Sequence, residues 1–476
     1  MVTEPEAPGA AGARAGDPRG QVPDKGRATG TTGPGNHRVC RVESTALCTD
    51  HYELTMLQSA LRSGTADRRS VFEVFARGLP PGRRYGVVAG TGRLLEALER
   101  FRFTEDQLDF LTAAGIVDGP TCEWLAAYRF SGDIDGYAEG EAYFPGSPVL
   151  VVEAPFAEAV LLETLILSVL NHDTAVASAA ARMVWAAGGR PIIEMGSRRT
   201  HEEAAVAAAR AAYIAGFTTT SNLAAGRRFG IPTAGTSAHA FTLLYPSEKE
   251  AFAAQVAALG TGTTLLVDTY NETAAIAVAV EVAGSELGAV RLDSGDLLEL
   301  ARAARAQLDA LGAHSTRIVV TSDLEEHAIA ALASAPVDGY GVGTSVVTGS
   351  GAPTAGFVFK LVARALEDAP DAPLQPVAKR STGKPSRGGR KWAARRRTDA
   401  GRAQAELIVV GSPPEAHPGD RPLMVPLVRS GAVVTPGSLA EAREQWQSAR
   451  AELPPTALRL SRGEPALPTI YQGGTG

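Results

Sequence analysis

Cysteine is scarce in this sequence, and the few cysteines show no spacing that resembles a zinc site. The 476 residues include only three cysteines, Cys40, Cys48 and Cys122, and no CxxC pair occurs. No histidine lies at a spacing from them that is typical of zinc ligands. This cysteine usage indicates a reducing, cytoplasmic setting.

Lysine is nearly absent from the central part of the chain. Between Val149 and Val347 the only lysine is Lys249, which lies in a segment predicted to be helical. Barrel lyases and aldolases that work through a Schiff base need an amine that can reach the substrate. Because no strand end offers one, a phosphate-binding barrel enzyme of that kind is a weak alternative.

Long apolar runs are also missing. The most apolar run, residues 159–170, contains Glu163 and is too short and too charged to span a bilayer, so we expect no membrane partner. Residues 1–38 contain no apolar segment typical of a signal peptide. They are rich in Gly, Pro, Arg and Asp, which predicts a disordered tail.

Charge and length narrow the possibilities further. The net charge of −6 and the pI near 5.9 argue against a protein whose main task is to bind nucleic acid. With 45% hydrophobic residues, the chain can bury a sizeable core in two or three domains. After the tail, we predict an N-terminal α+β domain at 39–148, a β/α barrel catalytic domain at 149–350, and a C-terminal segment at 351–476 that partly completes the α+β domain.

Strand-like and helix-like runs alternate within the predicted barrel domain, as in a parallel sheet or barrel. The first long helical segment is expected to be broken near residues 171–173, by a polar kink or by the start of a second helix. A polar or glycine-rich cluster follows nearly every strand: 194–199, 220–222, 236–239, 268–271, 291–296, 321–323 and 341–345. Strand ends of a β/α barrel meet at one mouth, where substrate binds. This convergence predicts an enzyme.

The first of these clusters has the features of an anion site. Arg198 and Arg199 come just before a helix that is predicted to begin with the capping box Thr200-x-x-Glu203. The free amides and the dipole of a helix N-terminus favour anions, and two guanidinium groups add to this. The alternative is a solvated pair of surface arginines.

Three further clusters contain candidate functional residues. Arg291 lies in an apolar strand and needs an anionic partner, either Asp293 or a ligand carboxylate. The glycines at 341 and 343 would let backbone amides approach a phosphate closely. His239 ends a short β-prone run, and its imidazole is available as a nucleophile near pH 7. An isolated histidine is usually a core or cap residue, but these neighbours favour a functional role.

Together these motifs resemble the nicotinate phosphoribosyltransferase family. The matching segments occur in the family's order and cover roughly residues 45–391. They are 49–56, 72–75, 194–199, 220–222, 235–239, 290–296 and 341–345. The resemblance implies an α/β fold, an irregular β/α barrel of the type II phosphoribosyltransferase kind, with an additional α+β domain and a C-terminal extension.

The resemblance also implies a reaction. Nicotinate and 5-phosphoribosyl 1-diphosphate would give nicotinate mononucleotide and diphosphate, in NAD biosynthesis or salvage. Hydrolysis of ATP would be coupled through phosphorylation of His239, with Asp293 as a second catalytic residue and Mg²⁺ accompanying ATP and the phosphoribosyl substrate. The implied assembly is a homodimer, and the metal ligands stay unassigned.

Binding roles follow from the same resemblance. Tyr52 would pack against the pyridine ring, while Arg291, with Arg198 or Arg199, would hold the carboxylate. The residues implied to bind nicotinate are Tyr52, Thr236, Arg291, Arg198 and Arg199, and those implied to bind the phosphoribosyl diphosphate are Gly343, Thr344 and Ser322. Met195 stands where the family commonly has an aromatic residue.

Two other functions stay open at this point. One is a related transferase that uses nicotinamide or quinolinate. Quinolinate carries two carboxylates, so it would need a second cationic cluster, and its reaction needs no phosphorylated histidine. The other is an inactive homologue that acts as a binding protein.

Overall fold

The computed structural model describes residues 43–369, 372–379, 386–415 and 417–473. The predicted disordered tail at 1–38 lies outside the described residues. In chain order, the helices are α1 (His51–Ser63), α2 (Thr91–Glu99), α3 (Glu105–Ala113), α4 (Gly119–Ala127), α5 (Phe156–Val160), α6 (Glu163–Ala186), α7 (Glu202–Ala215), α8 (Leu223–Phe229), α9 (His239–Leu243), α10 (Glu248–Leu259), α11 (Glu272–Ala283), α12 (Leu297–Ala310), α13 (Glu326–Ala331), α14 (Thr344–Val347) and α15 (Leu439–Glu452).

The strands are mostly short. In chain order they are β1 (Arg69–Ala76), β2 (Gly86–Val87), β3 (Asp133–Tyr137), β4 (Ala142–Tyr143), β5 (Leu150–Pro155), β6 (Ile192–Glu194), β7 (Thr219–Thr220), β8 (Thr264–Leu266), β9 (Ala289–Leu292), β10 (Arg317–Val320), β11 (Gly339–Val342), β12 (Phe357–Arg364), β13 (Gln375–Pro376), β14 (Lys391–Arg397), β15 (Ala403–Val410), β16 (Asp420–Pro422), β17 (Met424–Arg429), β18 (Ala432–Val433) and β19 (Thr469–Gln472).

Six parallel strands form the sheet that carries the polar clusters. Their order is β7-β6-β11-β10-β9-β8, and helices connect them. Strands β9 and β11 are buried at every residue, as expected for parallel strands that are covered on both faces. Strands β7 and β8 form the two edges of this curled sheet, so it is a half-barrel. The predicted irregular β/α barrel fold is confirmed.

A second sheet combines strands from distant parts of the chain. Its order is β13-β12-β1-β5-β3-β17-β18, so strands that follow the half-barrel pair with strands that precede it. A four-stranded sheet, β16-β14-β15-β19, and the small pair β2-β4 complete the β-structure of the described ranges. The domain boundaries at 148 and 350 stay predictions.

A buried ion pair connects the four-stranded sheet to the seven-stranded sheet, and a second buried cluster surrounds Arg395. Lys391 Nζ on β14 lies 2.6 Å from the carboxylate of Glu73 on β1, and both side chains are buried. Arg395, also on β14, lies 2.7 Å from Glu406 on β15 and 3.3 Å from Glu141. Removing one partner of such a pair leaves a buried charge and costs about 3–5 kcal/mol. The contacts with Glu73 and Glu141 therefore hold β14 against the part of the chain that precedes the half-barrel.

The break that we expected near residues 171–173, with a second helix start as one form of it, is wrong. Helix α6 is continuous from Glu163 to Ala186. Asn171 Oδ1 accepts the backbone N–H of Phe357 at 2.8 Å, and Asp173 forms an ion pair with Arg93 at 2.8 Å. Because these polar side chains have tertiary partners, they do not compete for the helix backbone. Of the helices in the described ranges, none has the length and hydropathy that crossing a membrane requires.

Candidate active site

A cleft of about 640 Å³ opens at the carboxyl ends of the parallel strands. Six of the seven strand-end clusters contribute to its wall, and the exception is the cluster at 268–271. Eight of the ten predicted site residues line it: Arg198, Arg199, Thr236, Arg291, Asp293, Ser322, Gly343 and Thr344. The parallel sheet therefore brings together residues that are up to 146 positions apart in the chain, from 198 to 344.

His239 lies at the edge of this cleft, as the first residue of the short helix α9. Its Nδ1 is 3.1 Å from Thr269 Oγ1. Its Nε2 is 3.9 Å from Asp293 Oδ2 and 4.0 Å from Asp268 Oδ1. With 42% of the side chain exposed, the imidazole is oriented by its neighbours and is still accessible to a ligand.

Asp268 is the residue to which sequence reasoning gave no role. Its side chain is fully buried just beyond β8, and its Oδ2 accepts from the Asp293 N–H at 2.9 Å and the Ser294 hydroxyl at 2.8 Å. Within the described part of the chain its Oδ1 has no hydrogen-bond partner, and this oxygen lies 4.0 Å from His239 Nε2. The available signal was its position after a strand, but only the fold shows that it faces the imidazole.

Arg291 is a buried cation with an unused donor. Its Nη1 donates to the Thr236 hydroxyl, whereas its Nε is buried and has no hydrogen-bond partner among the described residues. Burial lowers the pKa of Arg291, and the carboxylates of Asp293 and Asp268 oppose this effect. Asp293 does not pair directly with Arg291, because its two oxygens face Thr321 and His239. Of the two partners that we considered, a ligand carboxylate is the one left available.

The turn after β6 presents the two arginines to solvent. Arg198 and Arg199 are exposed, and neither takes part in an ion pair among the described residues. The predicted capping box at Thr200 is wrong, since helix α7 begins at Glu202 with His201 as its N-cap. The Nδ1 of His201 accepts the N–H of Glu203, which satisfies the amide that Thr200 was expected to bind.

Close packing marks the turn after β11, which lies next to the turn after β6. Gly343 is the N-cap of α14, and Thr344 is its first residue. A Cβ on Gly341 would lie 2.5 Å from Met195 Sδ and from Thr321 Cγ2, so only glycine fits. Ser322 has a φ of 134°, a conformation that costs a non-glycine residue energy and that is concentrated at functional sites.

Tyr52 does not share this location. It lies on α1 and is not among the residues that line the cleft. About 44% of it is exposed, and its hydroxyl interacts with Glu163 at the start of α6. Partial burial and the nearby carboxylates raise the pKa of Tyr52 to about 12. The resemblance assigned Tyr52 to the same site as the residues that line the cleft. Within a single chain, however, Tyr52 lies apart from them.

Comparison with known proteins gives a consistent result. Residues 47–171 match the family model of the nicotinate phosphoribosyltransferase N-terminal domain. The nicotinate phosphoribosyltransferase pncB1 of Mycobacterium tuberculosis is 61% identical over 432 residues, which cover 89% of this chain and 94% of that protein. The Bacillus subtilis enzyme of the same name is 40% identical and covers 67% of each chain. The crystal structure of human nicotinic acid phosphoribosyltransferase superposes with a TM-score of 0.75 at 27% identity, over 89% of this chain and 97% of that one.

Proposed function

This chain belongs to the nicotinate phosphoribosyltransferase family, and we propose that it joins nicotinate to 5-phosphoribosyl 1-diphosphate with coupled hydrolysis of ATP. The products would be nicotinate mononucleotide, diphosphate, ADP and phosphate. The observation that carries the proposal is the unpartnered guanidinium Nε of Arg291, which is buried in a cleft beside His239. Nicotinate mononucleotide is a precursor of pyridine nucleotides, so the reaction belongs to NAD biosynthesis.

The carboxylate of nicotinate would bind Arg291. A guanidinium group offers two parallel donors to a carboxylate, and its Nε is available for one of them. Thr236 already accepts from Nη1 and would fix the plane of the guanidinium group. Arg198 lies close enough to affect the pKa of Arg291, so it can share the same anion. An amide in place of the carboxylate would leave this cation unpaired.

The phosphoribosyl diphosphate would bind at the carboxyl ends of β10 and β11. Gly343, Thr344 and Ser322 line that side, and backbone amides at a glycine turn can approach phosphate oxygens closely. When the bond between the ribose C1 and diphosphate breaks, negative charge develops on the leaving group. Exposed arginines and fixed amides would stabilise this charge in the transition state.

His239 would act as the phosphoryl acceptor from ATP. An imidazole nitrogen forms a bond to the γ-phosphorus while the bond from phosphorus to the ADP oxygen breaks. The attacking nitrogen would be Nε2, with the ring proton kept on Nδ1, and the carboxylates of Asp268 and Asp293 that face Nε2 would stabilise the positive charge of the phosphorylated ring. Water then hydrolyses the N–P bond and releases phosphate. Thr269 would hold the ring in place during both steps.

Magnesium is proposed to enter with ATP and the phosphoribosyl substrate. The residues present fit such an ion, since Mg²⁺ prefers carboxylate and water oxygens. Asp268 keeps an unpartnered, buried carboxylate oxygen, and Asp293 lies beside it. Bound there, the ion would neutralise charge on the phosphate oxygens.

A substrate panel tests this proposal. We expect purified protein to form nicotinate mononucleotide from nicotinate and 5-phosphoribosyl 1-diphosphate, and we expect ATP to increase the rate. Nicotinamide and quinolinate should react far more slowly, because neither matches a single carboxylate site. Faster turnover of quinolinate than of nicotinate would contradict the assignment. The absence of product from all three compounds would contradict it as well.

We further propose that the enzyme is a homodimer in which Tyr52 of one copy completes the cleft of the other. Four exposed apolar side chains lie in, or within five residues of, the strand-end clusters at 220–222, 236–239 and 268–271, namely Leu223, Leu243, Leu244 and Tyr270. Exposed apolar surface near a site is a common feature of interaction surfaces. A second copy that covers these side chains would bring its own exposed Tyr52 to the pyridine ring.

Mixing two inactive variants tests this arrangement. Tyr52→Ala and His239→Asn should each lose activity. After subunits exchange at random, about half of the dimers are mixed and half of the clefts in these are intact, so about a quarter of wild-type activity should return. The measurement is turnover before and after subunit exchange. If Tyr52 served the cleft of its own chain, no activity would return.

A further inference from the structure

Glu194 is a buried carboxyl group beneath the cleft that has no cationic partner. It is the last residue of β6 and is 1% exposed. The buried carboxylates of Glu73, Glu406 and Asp173 each pair with an arginine or a lysine, but no ion pair among the described residues includes Glu194. Burial raises the pKa of Glu194. Burying a carboxyl group without a cationic partner lowers the stability of the fold unless hydrogen bonds satisfy it. The hydrogen-bond partners of Glu194 therefore indicate its role.

Those hydrogen bonds go to two loops that line the cleft. One carboxylate oxygen accepts the backbone N–H of Gly196, and the other accepts the hydroxyl of Thr220 at 2.5 Å. Thr220 Oγ1 also accepts the N–H of Asn222 at 3.0 Å, and Asn222 Nδ2 donates to Ser197 Oγ at 3.0 Å. The contacts form a closed ring that connects the end of β6, the turn after it and the loop after β7.

The same turn is packed against the third loop of the cleft. A Cβ on Gly196 would lie 2.2 Å from Val347 Cγ1 and 2.9 Å from the carbonyl oxygen of Gly343. No space is left between the turn that carries Arg198 and Arg199 and the turn that begins α14. A shift of one would therefore displace the other.

We infer that Glu194 is a positioning residue, which holds the arginine-bearing turn 196–199 in register with the Gly343–Thr344 turn so that both reach one anionic substrate. This inference rests on the proposed function for the identity of that substrate, 5-phosphoribosyl 1-diphosphate. Glu194 lies under the cleft and acts through Gly196 and Thr220 rather than on the substrate itself.

The neighbouring threonines of β7 provide a matched test. Thr220 bonds to Glu194, whereas the hydroxyl oxygen of Thr219 is buried without a partner. Thr220→Val should raise the Kd for 5-phosphoribosyl 1-diphosphate by about tenfold, because small displacements of binding groups weaken their action strongly. Thr219→Val should leave this Kd unchanged. Isothermal titration calorimetry with the substrate and with magnesium diphosphate measures both.

Substitutions of Glu194 separate positioning from general stability. Glu194→Ala should weaken binding at least as much as Thr220→Val, and Glu194→Gln should recover most of it, since its amide oxygen can still accept the Gly196 N–H. The inference would be overturned if the Thr219 and Thr220 variants had equal Kd values. It would also be overturned if Glu194→Ala lowered the melting temperature but left the Kd unchanged. Because binding is measured without turnover, a wild-type protein that binds but forms no product would refute the proposed function alone.

Discussion

Arg291→Gln is expected to raise KM for nicotinate by about a hundredfold, with a much smaller effect on KM for 5-phosphoribosyl 1-diphosphate. Two charge-assisted hydrogen bonds from the guanidinium group to a carboxylate are worth about 3 kcal/mol together, and each 1.4 kcal/mol is about a factor of ten in affinity. The buried Nε of Arg291 has no other partner that would compete for it. Steady-state kinetics with each substrate varied in turn measures the effect.

Two further variants make this result specific. Arg291→Lys keeps the charge but loses the planar pair of donors, so it should recover only part of the affinity. Arg317→Gln changes an exposed arginine on the neighbouring strand β10 and should have no effect. If Arg291→Gln raised KM equally for nicotinate and for 5-phosphoribosyl 1-diphosphate, Arg291 would support the fold of the cleft instead of binding the carboxylate.

His239→Asn is expected to abolish the stimulation by ATP. Asparagine approximates the size of part of the imidazole but cannot accept a phosphoryl group, so the covalent step is lost. We expect turnover at saturating ATP to fall by about a hundredfold or more, toward the rate without ATP. Incubation with γ-labelled ATP should give an acid-labile label on the wild-type protein and none on the variant.

An exposed histidine outside the cleft is the control. The side chain of His314 is 73% exposed, and the His314→Asn variant should keep both the label and the activity of the wild-type protein. A label that persists in His239→Asn would place the phosphoryl acceptor elsewhere. Stimulation by ATP without any protein label would refute the phosphohistidine, but not the synthesis of nicotinate mononucleotide.

Local sequence patterns correctly predicted the parts of the cleft that depend on strand ends. Arg198 and Arg291 each lie at or just beyond the end of a parallel strand, and parallel strands direct their carboxyl ends to one edge of the sheet. Once the alternation of strands and helices was recognised, their convergence followed. The roles of the individual residues stay predictions until the variants are measured.

The same patterns failed where side chains from distant segments interact. The helix through Asn171 was expected to be broken, since nothing local reveals that Phe357 would satisfy the asparagine. The helix after Arg199 was expected to start at a capping box, although the His201 ring takes that amide instead. Asp268 was left without a role because its unpartnered oxygen is visible only when His239 is folded against it.

The sequence alone determined the alternating β/α architecture and the chemistry that is available at the strand ends, because hydrophobic periodicity and residue type are local properties. Tertiary structure alone decided which of those groups meet. It gave Arg291 a free donor, turned Asp268 toward the imidazole, and joined Glu194 to two loops of the cleft. It also left Tyr52 outside the cleft of its own chain, since burial and hydrogen-bond partners depend on segments far apart in sequence.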